Sequence, residues 1–180
     1  MRRAVFLDRD GVINRVLIRD GKPHPPASVG ELEILPGVER GLRSLRRAGF
    51  VLVGVTNQPD VARGTTRRET VEEINALLLE TLALDDILVC YHDDGQGCDC
   101  RKPRPGLLIQ ASRRFGIDLH ASFMVGDRWR DIEAGRLAGC RTIFIDYGYA
   151  EPAPKQPDLT VTSTSDAMEW IFSVVSIPIP

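Results

Sequence analysis

Five short apolar runs constrain this chain more than any other feature. They occupy residues 4–7, 50–55, 87–91, 122–125 and 141–145, and most stop abruptly at a polar residue. Stretches with helical periodicity lie between them. After Pro36, Val38, Leu42 and Leu45 share one face, and Gly49 supplies a stop. Thr66 and Glu69 read as a capping box ahead of a stripe of Val71, Ile74, Leu77, Leu78 and Leu82. Leu108, Ala111 and Phe115 are in register before Gly116, a further helix over 130–138 ends at Gly139, and a last one follows Ser163. Continuous apolar strands alternating with helices predict an α/β fold, a doubly wound parallel sheet covered on both faces. Such sheets bind ligands beyond the carboxyl ends of their strands. Asp8, Thr56, Asp127 and Asp146 all fall at predicted carboxyl ends, so residues far apart in sequence are expected on one rim.

With 180 residues, 43% of them hydrophobic, a single domain over residues 1–180 is expected. The net charge of −2 gives no basic field for nucleic acid. No apolar run is long enough to span a membrane, and the one after Arg2 and Arg3 is too short for a signal peptide. A cytoplasmic location is therefore expected, and there clustered cysteines point to metal more than to disulfides. Residues 13–35 are irregular and carry Gly21, Pro23, Pro25 and Pro26, a length that suits a functional flap. Residues 147–157 read as a loop, with a short strand near Leu159.

Two constellations carry chemistry. The first begins where residues 4–7 run into Asp8-Arg9-Asp10-Gly11-Val12, which is either an acidic turn or a pair of carboxylates facing a metal. The second is Cys90-x-His92 followed by Cys98-x-Cys100, three thiols and an imidazole that match a tetrahedral structural zinc site. Cys140 lies far from this group and reads as a buried thiol. His24 and His120 read as ordinary surface or loop residues.

Taken in order, Asp8-Arg9-Asp10-Gly11-Val12, Val55-Thr56-Asn57-Gln58, Arg101-Lys102-Pro103 and Gly126-Asp127-Arg128 with Asp131 resemble the four motifs of the haloacid dehalogenase superfamily of phosphohydrolases. Within it the chain is similar to two groups, the heptose 1,7-bisphosphate 7-phosphatases and the histidinol-phosphate phosphatases. The resemblance implies a Mg²⁺-dependent phosphatase without a large cap domain. Asp8 would be the nucleophile and Asp10 the general acid and base. Thr56 would hold phosphoryl oxygens, and Lys102 would spread positive charge over the transition state. Mg²⁺ would be held by the side chains of Asp8 and Asp127 and the main-chain carbonyl of Asp10. The zinc loop over residues 90–100, with Cys90, His92, Cys98 and Cys100 as ligands, would order Arg101 and Lys102 and take no part in the chemistry.

Other residues keep more than one reading. Asp131 orients the metal or Lys102, or is a charge favoured at a helix N-terminus. Asn57 orients the acid/base carboxylate or the flap, or simply forms a turn. Arg63, Arg101 and Arg128 are candidate substrate-binding residues. With Lys102 and Arg104 they supply more cations than one phosphate needs, which favours a sugar bisphosphate. Asp60, Asp93, Asp94 and Asp99 point instead to the cationic end of histidinol phosphate, or are solvated turn residues. Where relatives commonly have Ser-Gly after Asn-Gln, this chain has Pro59-Asp60. The expected partner is a small phosphorylated metabolite acted on by a monomer, with neither nucleic acid nor membrane involved. A different class of function, a receiver-like module that only binds phosphate or carries it on Asp8, lacks a use for Asp10 two residues on.

Overall fold

The structure, a computed structural model, describes residues 1–19 and 21–175. The end of the expected 1–180 domain and residue 20 of the flap lie outside the described residues. In chain order the elements are β1 (Ala4–Leu7), a hairpin of β2 (Leu17–Arg19) and β3 (Lys22–His24), α1 (Val38–Arg47), β4 (Val51–Asn57) and α2 (Pro59–Ala62). Next come α3 (Arg68–Thr81), β5 (Asp86–Cys90), α4 (Gly106–Phe115), β6 (Phe123–Gly126), α5 (Trp129–Ala138), β7 (Arg141–Ile145), β8 (Leu159–Val161) and α6 (Thr164–Val175).

Six strands form one sheet in the order β5-β4-β1-β6-β7-β8, every pair parallel. β1 is central because its four residues are wholly buried and apolar on both sides. Side chains alternate across a strand, so Val5 and Leu7 enter one core layer and Ala4 and Phe6 the other. The first layer packs against Leu42 and Leu45 of α1, Ile74 and Leu78 of α3, and Met168 and Ile171 of α6. The second packs against Leu107, Leu108 and Ala111 of α4 and Ala134 of α5, and it contains the expected buried thiol of Cys140. The chain leaves β1 for β4 on one side and later crosses to β6 on the other. That change of direction opens a crevice at the carboxyl end of β1.

Three local readings change. The Thr66/Glu69 capping box is absent: α3 starts at Arg68, with Arg67 at its N-cap and no side-chain cap. Gln58 and Pro59 instead start the short helix α2, where Pro at the first position costs no hydrogen bond. The flap holds the β2–β3 hairpin, whose three-residue strands are too short to show a period of two. No helix among the described residues is long and apolar enough to cross a membrane.

Candidate active site

Asp8 follows β1 directly, and its main-chain N–H donates to the Val125 carbonyl of β6 at 3.0 Å. Arg9 N–H caps the Asp8 carboxylate at 2.8 Å. Gly11 then turns the chain at φ +91°, and a Cβ there would lie 1.9 Å from Asp127 Oδ2. Only glycine lets the two acidic loops approach this closely.

Lys102 is 2% exposed and reaches the centre of the sheet rim. Its Nζ donates to Asp8 Oδ1 at 2.8 Å and to the Val55 carbonyl at 2.7 Å, and it pairs with Asp131 Oδ1 at 2.6 Å. Burial works against this ammonium, yet Asp131 and Asp8 together outweigh it and hold Lys102 above the usual lysine range. Asn57 fixes the lysine's backbone: its Nδ2 donates to the Lys102 carbonyl at 3.0 Å and its Oδ1 accepts from the Lys102 N–H at 3.1 Å. Asn57 thereby ties the carboxyl end of β4 to the Lys102 backbone. Asp131 serves both of its readings, since its Oδ2 also accepts from the Arg128 N–H at the start of α5, at 3.0 Å.

Asp10 is held by residues that its sequence neighbourhood does not announce. Arg9 is 0% exposed and grips the carboxylate with Nε and Nη2, the latter 2.9 Å from Oδ2, while its Nη1 donates to Asn75 of α3 at 3.0 Å. Asn14 donates to Asp10 Oδ1 at 3.0 Å and Gln58 to Oδ2 at 2.7 Å. Gln58 also donates to Thr56 Oγ1 at 2.9 Å, which ties the acid/base candidate to the phosphoryl-binding candidate. A buried arginine is the missed residue here. Only its position between two carboxylates, beside a chain with an off-pattern Asn75, hinted at it.

Three carboxylates, Asp8, Asp127 and Asp131, place one oxygen each within 4.8 Å of one another. Both oxygens of Asp127 are buried without a partner at full hydrogen-bond distance, although the Tyr149 hydroxyl lies close enough to favour the carboxylate. Such an orphaned carboxylate needs a cation, and an all-oxygen set suits Mg²⁺. Burial, opposed by Lys102 and reinforced by Asp131 and Asp10, pushes Asp8 up to about 7. Burial and the neighbouring Asp8 and Asp131 raise Asp127 well above the carboxylate range. In the metal-free protein the folded state therefore holds these protons more tightly than the unfolded chain. Stability from this source is present at acid pH and is lost as pH rises, through about 7 for Asp8. Mg²⁺ is accordingly expected to raise the melting temperature, and to raise it more at neutral pH than near pH ~5. Paired melts with and without Mg²⁺ check this. An equal shift at both pH values contradicts it.

At the rim of β5 the four zinc-ligand candidates converge. Cys90 Sγ lies 3.7 Å from Cys98 Sγ, 3.1 Å from Cys100 Sγ and 3.6 Å from His92 Nδ1, and His92 Nδ1 is 3.3 Å from Cys100 Sγ. A tetrahedral ion with Zn–S near 2.3 Å separates its ligands by roughly 3.5–3.8 Å. The atoms therefore enclose the volume of one ion, and all four thiols of the chain are free. Gly106 closes the loop, because a Cβ there would lie 2.2 Å from the Asp99 carbonyl.

A cleft of about 260 Å³ opens over Asp8, Asp10, Thr56 and Lys102. Asn57, Arg63, Arg101 and Arg128 all line it, so the sequence-derived residues share one cavity. The hairpin contributes His24, which is a wall of the cleft and not an ordinary surface residue. The arginines differ from expectation in one respect, since each is already ion-paired. Arg63 binds Asp93 at 2.6 Å and Asp60 at 3.3 Å, and Arg101 binds Asp94 at 2.8 Å. Arg128 pairs with Glu151, from the loop after β7. The hydrogen bond from Arg63 holds the Asp93 carboxyl down at about 2.

Comparison with known proteins agrees with this geometry. A family model described as "HAD-hyrolase-like" matches residues 99–167. The D-glycero-beta-D-manno-heptose-1,7-bisphosphate 7-phosphatase of Pasteurella multocida is 36% identical over 98% of this chain and 100% of its own length. Its counterpart in Escherichia coli is 39% identical over 97% of this chain and 91% of its own. The crystal structure of D,D-heptose 1.7-bisphosphate phosphatase from B. bronchiseptica, complexed with magnesium and phosphate, superimposes with a TM-score of 0.77 at 28% identity, covering 96% of this chain and 99% of that one. By fold, site and relatives, the chain belongs to the haloacid dehalogenase superfamily of phosphatases.

Proposed function

We propose that this phosphatase removes the 7-phosphate of D-glycero-D-manno-heptose 1,7-bisphosphate through an aspartyl phosphate on Asp8. The observation that carries the reaction class is the Asp8 carboxylate held against the Lys102 ammonium beside the unpartnered Asp127. Mg²⁺, held by Asp8, Asp127 and the Asp10 main-chain carbonyl, would supply the charge that lets an anionic nucleophile approach a phosphate dianion. An Asp8 oxygen forms a bond to phosphorus as the ester oxygen leaves, and protonated Asp10 gives its proton to that alkoxide. Asp10, now a carboxylate, takes a proton from the water that attacks phosphorus, and the Asp8–phosphate bond breaks. Thr56 and Lys102 stabilise the charge on the transferring group in both steps. The contacts from Arg9, Asn14 and Gln58 keep Asp10 in one orientation for both steps.

The heptose substrate is supported by the names of the relatives matched over nearly the whole chain. The ion pairs bear on the alternative. Of the four acidic residues that favour a cationic substrate end, Asp60, Asp93 and Asp94 are engaged by Arg63 and Arg101, and Asp99 is exposed and does not line the cleft. Histidinol phosphate thus finds none of them free within the cleft. The test is kcat/KM on both substrates: the heptose bisphosphate is expected to lead by about tenfold or more, and the reverse order by the same factor overturns the choice.

Zinc is proposed as the resident of the Cys90, His92, Cys98 and Cys100 cage. With four protein ligands it leaves no open position for water, so its role is to order the loop before Lys102. Protein purified without chelators is expected to hold one tightly bound zinc per chain, and Cys98→Ser to lower that content together with the melting temperature. Elemental analysis finding no zinc contradicts this.

A further inference from the structure

Among the described residues lining the cleft, one arginine makes no ion pair. Arg130, the second residue of α5, lines the same cavity as Asp8 and Lys102. Among the described residues it makes no ion pair, and its Nε is buried without a hydrogen-bond partner. Its guanidinium lies over the Trp129 ring, 4.7 Å from the centroid, which limits the directions it can take. Every other arginine or lysine lining the cleft is neutralised: Arg63 by Asp93, Arg101 by Asp94, Lys102 by Asp8 and Asp131, and Arg128 by Glu151.

Folding gives no reason for a cation at this place. The first turn of a helix is its positive end, where arginine is disfavoured and an anion is favoured. A buried guanidinium nitrogen without an acceptor also costs free energy that a ligand oxygen would relieve. Both facts point the same way, toward an anionic group of a bound molecule. The reacting phosphate has Lys102 and the carboxylate-bound metal site for its charge.

We propose that Arg130 receives the non-reacting phosphate of a doubly anionic sugar phosphate and so sets the preference for bisphosphates over monophosphates. This rests on the reading of the cleft as a bisphosphate site and assigns the selectivity to one residue. Arg63, Arg101 and Arg128 are poorer candidates for that role, because each brings its own carboxylate to the cleft. Removing any of them also exposes an acid that repels substrate, whereas removing Arg130 breaks no ion pair and leaves Asp94 paired with Arg101.

The test compares wild type, Arg130→Gln and Arg130→Lys on the heptose 1,7-bisphosphate, on fructose 1,6-bisphosphate and on p-nitrophenyl phosphate. The measured quantity is the ratio of kcat/KM for each bisphosphate to that for p-nitrophenyl phosphate. In Arg130→Gln the ratio is expected to fall by about tenfold or more, chiefly through KM, with Arg130→Lys intermediate. Turnover of p-nitrophenyl phosphate in the same samples reports that the site is folded. A ratio within about twofold of wild type in Arg130→Gln overturns the proposal, as does a wild type with no preference for a second phosphate. If wild type favours fructose 1,6-bisphosphate over the heptose and Arg130→Gln lowers the ratio of fructose 1,6-bisphosphate to p-nitrophenyl phosphate by about tenfold or more, the heptose assignment fails and the role of Arg130 stands.

Discussion

Asp8→Asn is expected to lower kcat by more than about 10⁴-fold while the protein stays folded. The amide has the volume of the carboxylate, and its oxygen still accepts from Lys102 Nζ and the Arg9 N–H, the two contacts made by Asp8 Oδ1. What it loses is the charge that attacks phosphorus and one oxygen ligand of the three-carboxylate cluster. Because that cluster is crowded with like charge, the variant's metal-free melting temperature is expected to match or exceed that of the wild type. Phosphatase assays and melts on one preparation test both halves. Near-normal turnover means that Asp8 is not the nucleophile.

Lys102→Met is expected to damage both stability and activity. Lys102 is buried between Asp8 and Asp131, and among the described residues no other cation contacts either carboxylate. Methionine keeps much of the volume and leaves Asp8, Asp127 and Asp131 buried without compensation. Breaking a buried pair in this way costs about 3–5 kcal/mol. Loss of the ammonium from the transition state is expected to cost a further factor of about 10²–10³ in kcat. Mg²⁺ and low pH should each restore part of the stability, because each neutralises the same carboxylates. Urea unfolding with and without Mg²⁺ measures this, and a destabilisation below about 1 kcal/mol contradicts the account.

The sequence is legible where one physical signal dominates. The apolar runs at residues 4–7 and 122–125 are buried strands because nothing but a sheet core suits them, and the rim position of Asp8 and Asp127 follows from where those runs stop. The cysteine cage is legible because ligand spacing is local. What the sequence hides is pairing between distant polar residues. Arg9 carries no role in the sequence reading, yet it is buried and pairs with Asp10 and Asn75. Arg63, Arg101 and Arg128 read as surplus cations because the carboxylates that neutralise them lie 30, 7 and 23 residues away. Gln58 and Asn57 are adjacent and similar, and only the turn after β4 decides that one reaches Asp10 and the other Lys102. Thr66 shows the opposite error, a local motif that does not form: its N–H donates to the Asp60 carbonyl and the helix starts two residues later.

The central claim is that Asp8 carries the phosphoryl group. Enzyme mixed with substrate and Mg²⁺, quenched in acid during turnover and treated with borohydride, tests it most directly, since an acyl phosphate is reduced while a free carboxylate is not. Mass spectrometry of the peptide containing Asp8 is expected to show homoserine at that position, dependent on substrate and absent in Asp8→Asn. An unmodified Asp8 under conditions of active turnover, or reduction at another carboxylate such as Asp127, would contradict the account.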